Sequence, residues 1–335
     1  VAIGKICIVG AGAVGGTIGA QLAAAGYPTS ALARGRTLAA LRDHGWRHRD
    51  PDGVVITAPV SADDDPARLA APDVLVLAVK APSLPGLADR LGVLIGPGTV
   101  VVPAMNGVPW WFFHGLGGSY DGLPLRSVDP AGSIAAAIPP AQVVGCVVHF
   151  SAAAVEPGVT VRRAGAGLII GEPGGGGSER VAELAAVLDE AGFAATVSDR
   201  IQRDVWYKLW GNMTMNPISA LTGATTDRIL DDDLVAGFVR SVMVEAAAIG
   251  DRIGCSVPQS PADRNALTRK LGAMRTSMLA DAEAGRPLEL DAMLTAVAEV
   301  GNRVGVPVPQ LRTLLGLSRL AARVRGLYPA ASPAS

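Results

Sequence analysis

Lys5-Ile6-Cys7-Ile8-Val9-Gly10-Ala11-Gly12-Ala13-Val14-Gly15 decides the fold. Its apolar opening suits a short strand buried on both faces. A Gly10-x-Gly12-x-x-Gly15 spacing follows at once, and an Ala-rich helical stretch runs from it to Ala25, with Gly26 as its C-terminal cap. The first glycine permits a tight turn, the second lets backbone approach a pyrophosphate, and the third lets helix and strand pack closely. Phosphates would meet the positive end of the helix dipole. The spacing alone is a weak signal in a chain with 41 glycines. Placed between a strand and a helix, it reads as a dinucleotide cradle, Gly10, Ala11, Gly12, Ala13, Val14 and Gly15, and not merely as a Gly-rich turn.

Outward from that stretch, residues 29–33 read as a second strand that ends at Arg34-Gly35-Arg36. NAD sites commonly place Asp or Glu there, whereas a guanidinium matches a 2'-phosphate, so Arg34 favours NADP. Arg36 reads as an exposed surface charge. A helix to about residue 44 and a small hairpin strand at 54–56 follow. Residues 74–79 form the clearest parallel-type strand, and Lys80 at its end adds a second positive charge near the same ledge. A helix near 84–91 and a strand at 99–102 lead to Asn106-Gly107. Ligands of open α/β sheets lie beyond the carboxyl ends of the strands, which places Asn106 to touch the nicotinamide end or the substrate; it is otherwise an ordinary turn Asn. Residues 143–150, 160–162 and 168–171 read as further, antiparallel strands, 178–190 as a helix and 194–197 as a closing strand.

After residue 199 the pattern turns helical, at 231–253, 261–284, 290–304 and 310–324. The expected class is α/β: a Rossmann-type doubly wound sheet followed by an all-helical C-terminal domain. The boundaries are 1–198 for the NADP-binding domain and 199–328 for a helical substrate and catalytic domain, with a frayed end at 329–335.

The second informative stretch is Asp204-Val205-Trp206-Tyr207-Lys208-Leu209-Trp210-Gly211-Asn212-Met213-Thr214-Met215-Asn216-Pro217. As a helix it stacks Lys208, Asn212 and Asn216 at i, i+4 on one face, while Trp206, Leu209, Trp210 and Met213 pack elsewhere. Burial lowers the pKa of a lysine and makes it a usable acid near neutral pH. The bland alternative is a solvated polar stripe. Pro217 is expected to kink or end the helix. Later, Ser277 and Asp281 share a helix face, and Glu289 follows the Gly285-Arg286-Pro287 turn, where it could be a favourable first-turn charge.

Composition excludes other classes. Charged residues are 18%, hydrophobic residues 49% and the formal net charge is -1, so the chain is globular, with no nucleic-acid surface. Residues 6–33 and 130–155 carry few or no charges and imitate membrane segments, but their glycines and prolines suit strands and turns, and no membrane span is expected. Cys7, Cys146 and Cys255 are scattered and read as buried reduced thiols of a cytoplasmic protein. No residue spacing supports a metal or a Gly-x-Ser-x-Gly nucleophile.

Together these residues resemble the ketopantoate reductase (2-dehydropantoate 2-reductase) family. The matching pieces are Gly10 to Gly15, Arg34, Val79-Lys80-Ala81, Asn106-Gly107, the Lys208/Asn212/Asn216-Pro217 element, Thr276-Ser277-Met278 with Asp281, and Glu289-Leu290-Asp291, in family order over about residues 4–310. The resemblance implies NADPH-dependent reduction of an α-keto acid to a 2-hydroxy acid, most simply 2-dehydropantoate to pantoate. Lys208 would be the general acid, Asn212 and Asn216 would orient substrate oxygens, and Ser277 would hold the carboxylate. Glu289 would fix Lys208 or contact cofactor and substrate. Asn106 would sit between nicotinamide and substrate, and Arg34 and Lys80 would bind the 2'-phosphate.

Three features depart from the family pattern: Leu294-Thr295, Phe150 near the expected cofactor, and the run Pro109-Trp110-Trp111-Phe112-Phe113. Those aromatics suit core or a homodimer contact, or line a pocket for a bulkier substrate. The competing readings are a β-hydroxyacid or opine-type dehydrogenase and a non-catalytic NADP-binding sensor.

Overall fold

The computed structural model describes residues 3–330, so the end expected to fray lies mostly outside the described residues. The chain divides into two compact units. The first holds the residues up to Met105, Trp110–Pro124 and Ala131–Asp204; the second holds Asn106–Pro109, Leu125–Pro130 and the chain from Val205 on.

In the first unit β1 (Ile6–Val9), α1 (Ala13–Ala24), β2 (Thr29–Leu32) and α2 (Gly35–His44) precede β3 (Trp46–Arg49), β4 (Val55–Ala58) and β5 (Ser61–Asp63). Then come β6 (Val74–Leu77), α3 (Pro85–Leu91), β7 (Val100–Pro103), α4 (Ser133–Ala137), β8 (Gly145–Glu156), β9 (Val159–Gly171), α5 (Glu179–Glu190) and β10 (Ala194–Val197). One sheet has the order β5-β2-β1-β6-β7 and is parallel throughout. Its order reverses between β1 and β6, the place where doubly wound sheets bind ligands.

A second sheet has the order β10-β9-β3-β4, with β8 paired to β9. It is mixed, not purely antiparallel: β8 and β9 form an antiparallel hairpin, while β9 runs parallel to both β3 and β10. Residues 160–162 and 168–171 are two ends of the single strand β9, with Ala164-Gly165-Ala166-Gly167 between them. Gly165 lies at φ +72°, next to a register shift in the ladder, so this small-residue run is a bulge and not a break.

The two sheets explain the uncharged N-terminal run. Every residue of α1 from Gly15 to Leu22 is buried, because the helix packs on the first sheet through Gly15 and on the second through Gly16 and Gly19. A Cβ on Gly16 would lie 2.7 Å from the Thr160 side chain, and one on Gly19 2.5 Å from the Trp46 ring. A helix covered all round has no face for charge. Beside it, His48 is buried between Thr160 Oγ1 at 2.8 Å and Asp50 Oδ1 at 2.9 Å. Asp50 also accepts from Arg162 Nε and Gln21 Nε2, each at 2.8 Å. Burial pushes the His48 pKa down. For Asp50, burial alone would act upward, but the hydrogen bonds from Arg162, His48 and Gln21 outweigh it and hold the carboxyl below its usual range.

The aromatic run belongs to this unit's core. Trp110, Trp111, Phe112 and Phe113 are at most 7% exposed, Phe112 and Phe113 meet edge to face, and Trp110 Nε1 donates to the Ile138 carbonyl at 3.2 Å. The pocket-lining alternative therefore falls. Phe150 packs on Phe193, with ring centroids 5.7 Å apart.

The second unit is helical: α6 (Ile201–Thr222, from Val205 on), α7 (Thr226–Asp231), α8 (Asp233–Arg252), α9 (Pro261–Arg269), α10 (Ser277–Glu283), a π-helical turn at Asp291–Thr295, α11 (Ala296–Arg303) and α12 (Pro309–Val324). No strand follows Val197 among the described residues. The expected helix over 261–284 is two helices, because Ser260 and Thr276 each cap a separate start, accepting from Asp263 N and Leu279 N at 3.1 Å. Pro217 does not end α6, which runs five residues past it to Thr222. Two buried tryptophans hold the helix from its other face: Trp206 Nε1 donates to the Ala246 carbonyl at 3.2 Å and Trp210 Nε1 to that of Met243 at 2.7 Å. Among the described residues no helix is long and apolar enough to cross a membrane.

Candidate active site

In the first unit, the carboxyl ends of β1, β2 and β6 enclose a cleft of about 620 Å³, a volume typical of ligand pockets. Gly10, Ala11 and Gly12 form one wall, and Arg34 and Lys80 stand on the same cleft. The three glycines differ in their surroundings. Gly10 has φ +95° and a Cβ there would lie 2.8 Å from the Ala78 carbonyl; a Cβ on Gly15 would lie 2.1 Å from the Gly10 carbonyl. At Gly12 a Cβ would meet nothing within 4 Å. Two glycines thus permit close packing and the third leaves an open approach to the start of α1. That arrangement fits a dinucleotide pyrophosphate. Arg34 is exposed at the start of α2, and Lys80 is half-buried. Of the cofactor residues expected from the sequence, Gly10, Ala11, Gly12, Arg34 and Lys80 line the cleft, Ala13, Val14 and Gly15 lie in the first turn of α1 outside the lining, and Asn106 belongs to the second unit. Arg36 is outside the cleft lining. Thr37, Ser83 and Arg90 line it and were missed; their signal was position alone, after the ends of β2 and β6.

In the second unit, Lys208, Asn212 and Asn216 follow one another along the unbroken helix α6, about 6 Å apart at each step. Lys208 and Asn212 are half-buried, and Asn216 is 5% exposed. The helix brings the three together because its apolar side is committed to the tryptophan contacts with α8. Glu289 is also 5% exposed, which removes the reading of a solvated first-turn charge. Ser277 is exposed at the first position of α10, while Asp281 is buried and accepts from Arg286 Nε at 2.8 Å.

Asn106 belongs to the same unit as these residues. Its loop is joined to the turn after Glu289: Val108 N donates to the Ala292 carbonyl at 2.8 Å, and Gly107, at φ +87°, lets the loop lie against Ala292. The turn also reaches α6, where Asn216 Nδ2 donates to Met293 Sδ at 3.7 Å. These contacts gather the Asn106 loop, the turn after Glu289 and Asn216 into one polar cluster, with Asn212 and Lys208 farther back along the same face of α6. It can hold a proton donor beside an oxygen-rich small molecule. Among the described residues no group of His, Cys, Asp and Glu could hold a metal ion. Arg264 was missed as well: its guanidinium lies over the Tyr207 ring at 5.3 Å and against Gly211. The glycine between Lys208 and Asn212 was the available signal of that close approach.

Comparison with known proteins follows the same division. A family model described as ketopantoate reductase PanE/ApbA matches residues 6–175, and one described as ketopantoate reductase PanE/ApbA C terminal matches residues 200–322. The 2-dehydropantoate 2-reductase of Mesorhizobium japonicum is 43% identical over 325 residues, 97% of this chain and 99% of that one. A solved protein of Ralstonia solanacearum MolK2 is 56% identical with a TM-score of 0.94, over 98% of this chain and 100% of that one. The crystal structure of 2-dehydropantoate 2-reductase from Methylococcus capsulatus is 29% identical with a TM-score of 0.81, over 96% and 97% of the two chains.

Proposed function

The chain belongs to the ketopantoate reductase family, and from that premise we propose that it reduces 2-dehydropantoate to pantoate with NADPH. The observation that carries the reading is the Lys208, Asn212 and Asn216 face of α6, held in one unit with buried Glu289 and Asn106. We assign residues 1–198 to cofactor binding and 199–328 to substrate binding and catalysis.

When bound, NADPH supplies the hydride to the keto carbon. Lys208 carries a proton at Nζ and gives it to the carbonyl oxygen as negative charge develops there. Asn212 and Asn216 donate amide hydrogens to substrate oxygens, and Ser277 holds the carboxylate. Glu289 positions the Lys208 ammonium. Asn106 orients the nicotinamide amide or the substrate. Backbone N–H groups at the start of α1, around Gly10, Ala11, Gly12, Ala13, Val14 and Gly15, take the pyrophosphate. Arg34 and Lys80 would hold the 2'-phosphate.

The three cysteines are buried thiols outside any disulfide, and burial pushes the Cys7 thiol up to about 11, in keeping with a cytoplasmic setting. We carry a homodimer into the same reading, on the exposed stripe of Leu317, Leu320 and Val324 along α12. Light scattering that returns only monomer contradicts that part.

A panel of 2-oxo acids and 3-hydroxy acids, each offered with NADPH or NADP and with the NADH pair, tests the function. Oxidation of NADPH fastest with 2-dehydropantoate supports it. Turnover confined to 3-hydroxy acids, or cofactor binding with no turnover on any acid, contradicts it.

A further inference from the structure

We propose that Tyr328 is a positioning residue for the reduction, acting through Asp291 on the turn that carries Glu289 and supports Asn106 and Asn216. The inference rests on the functional reading above. The π-helical turn at Asp291–Thr295 admits one residue more per hydrogen-bonded turn than an α-helix, a geometry that is rare and concentrated at functional sites. Such a turn needs something to hold it. Asp291 Oδ1 accepts from Thr295 Oγ1, at the other end of the turn, at 2.9 Å, and from Tyr328 Oη at 2.6 Å. One carboxylate oxygen therefore clasps both ends of the turn and the segment after α12.

That segment is itself fastened. The Leu327 carbonyl accepts from Leu288 N, directly before Glu289, at 3.0 Å. Arg325 Nη1 donates to the Ala220 carbonyl, near the end of α6, at 3.0 Å, and Nη2 to the Ala282 carbonyl at 3.3 Å. The Arg323 guanidinium lies over the Tyr328 ring at 5.5 Å. Burial, then the bond to Asp291, pushes the Tyr328 phenol up to about 12, so it remains a donor at every working pH.

The held turn has three outputs. Met293 N donates to the Glu289 carbonyl at 3.2 Å, the Ala292 carbonyl receives Val108 N beside Asn106, and Met293 Sδ receives the Asn216 amide. Tyr328 bonds to Asp291, yet the turn that it closes bonds to the Asn216 side chain, to the Glu289 backbone and to Val108, two residues after Asn106. A small displacement of such groups is enough to slow a reaction that depends on alignment.

The test compares wild type, Tyr328→Phe, Asp291→Ala and Asp291→Asn in kcat, KM, NADPH affinity and amide hydrogen exchange. Tyr328→Phe keeps the ring over Arg323 and removes only the hydroxyl. The expected result is a kcat lower by about tenfold with NADPH affinity unchanged. Faster amide exchange at residues 106–109 and 289–296 accompanies it. Asp291→Asn, whose amide oxygen still accepts from Tyr328, keeps most of the wild-type kcat, whereas Asp291→Ala behaves like Tyr328→Phe. Wild-type kcat in folded Tyr328→Phe, or a loss in Asp291→Asn as large as in Asp291→Ala, overturns the proposal. Absence of turnover in the wild type contradicts the functional reading instead. Exchange at the two segments then still decides on the turn: unchanged exchange in Tyr328→Phe overturns it.

Discussion

Val108 donates its backbone N–H to the carbonyl of Ala292 at 2.8 Å, so the Asn106 loop and the turn after Glu289 are joined by a backbone hydrogen bond. Gly107 makes this approach possible. It sits at φ +87°, and a Cβ there would lie 2.6 Å from that of Ala292.

Gly107→Ala therefore meets both an unfavourable backbone conformation and a collision with Ala292, and the loop must move. A shift of about 1 Å at Asn106 is expected to lower kcat/KM for the keto acid by roughly a hundredfold. Steady-state kinetics checks the drop, and NADPH titration checks that cofactor affinity changes much less.

In the proposed reading Arg34 selects NADPH over NADH. Removing a charge-assisted contact to phosphate costs about 1.5–3 kcal/mol, so Arg34→Ala is expected to raise KM for NADPH by roughly 10- to 100-fold and to leave KM for NADH nearly unchanged. Equal loss with both cofactors contradicts the assignment.

His48 makes stability fall with acidity. Burial depresses its folded pKa below the ordinary 6.5, so the unfolded chain takes up the proton first as pH falls past that value, and folding weakens. The loss is complete once pH passes the folded pKa. Asp50, held below its ordinary 3.8, adds a second loss at still lower pH. The melting temperature is expected to decline between pH 7.5 and 5, with a shallower decline in His48→Gln. Parallel declines contradict this.

The sequence made some of this legible and hid the rest for physical reasons. The β1 strand and the glycine turn carry local signals: an apolar run and a fixed spacing. Lys208, Asn212 and Asn216 share a period of four that survives any packing. Strand β3, Trp46-Arg47-His48-Arg49, was hidden because its inward His48 is satisfied by Thr160 and Asp50, partners that only the folded sheet supplies. The gap between α9 and α10 was hidden because 261–284 has helical periodicity across it, although the caps Ser260 and Thr276 were there to be read. The link from Asp291 to Tyr328 spans 37 residues and has no local pattern.

The central claim is that Lys208 gives the proton in an NADPH-dependent reduction of 2-dehydropantoate. The most direct measurement is NADPH oxidation by wild type and Lys208→Ala with that substrate, beside NADPH titration of both proteins. The account predicts turnover in the wild type, a loss of about 100-fold or more in kcat for Lys208→Ala, and equal NADPH affinity. Turnover by Lys208→Ala at the wild-type rate contradicts it.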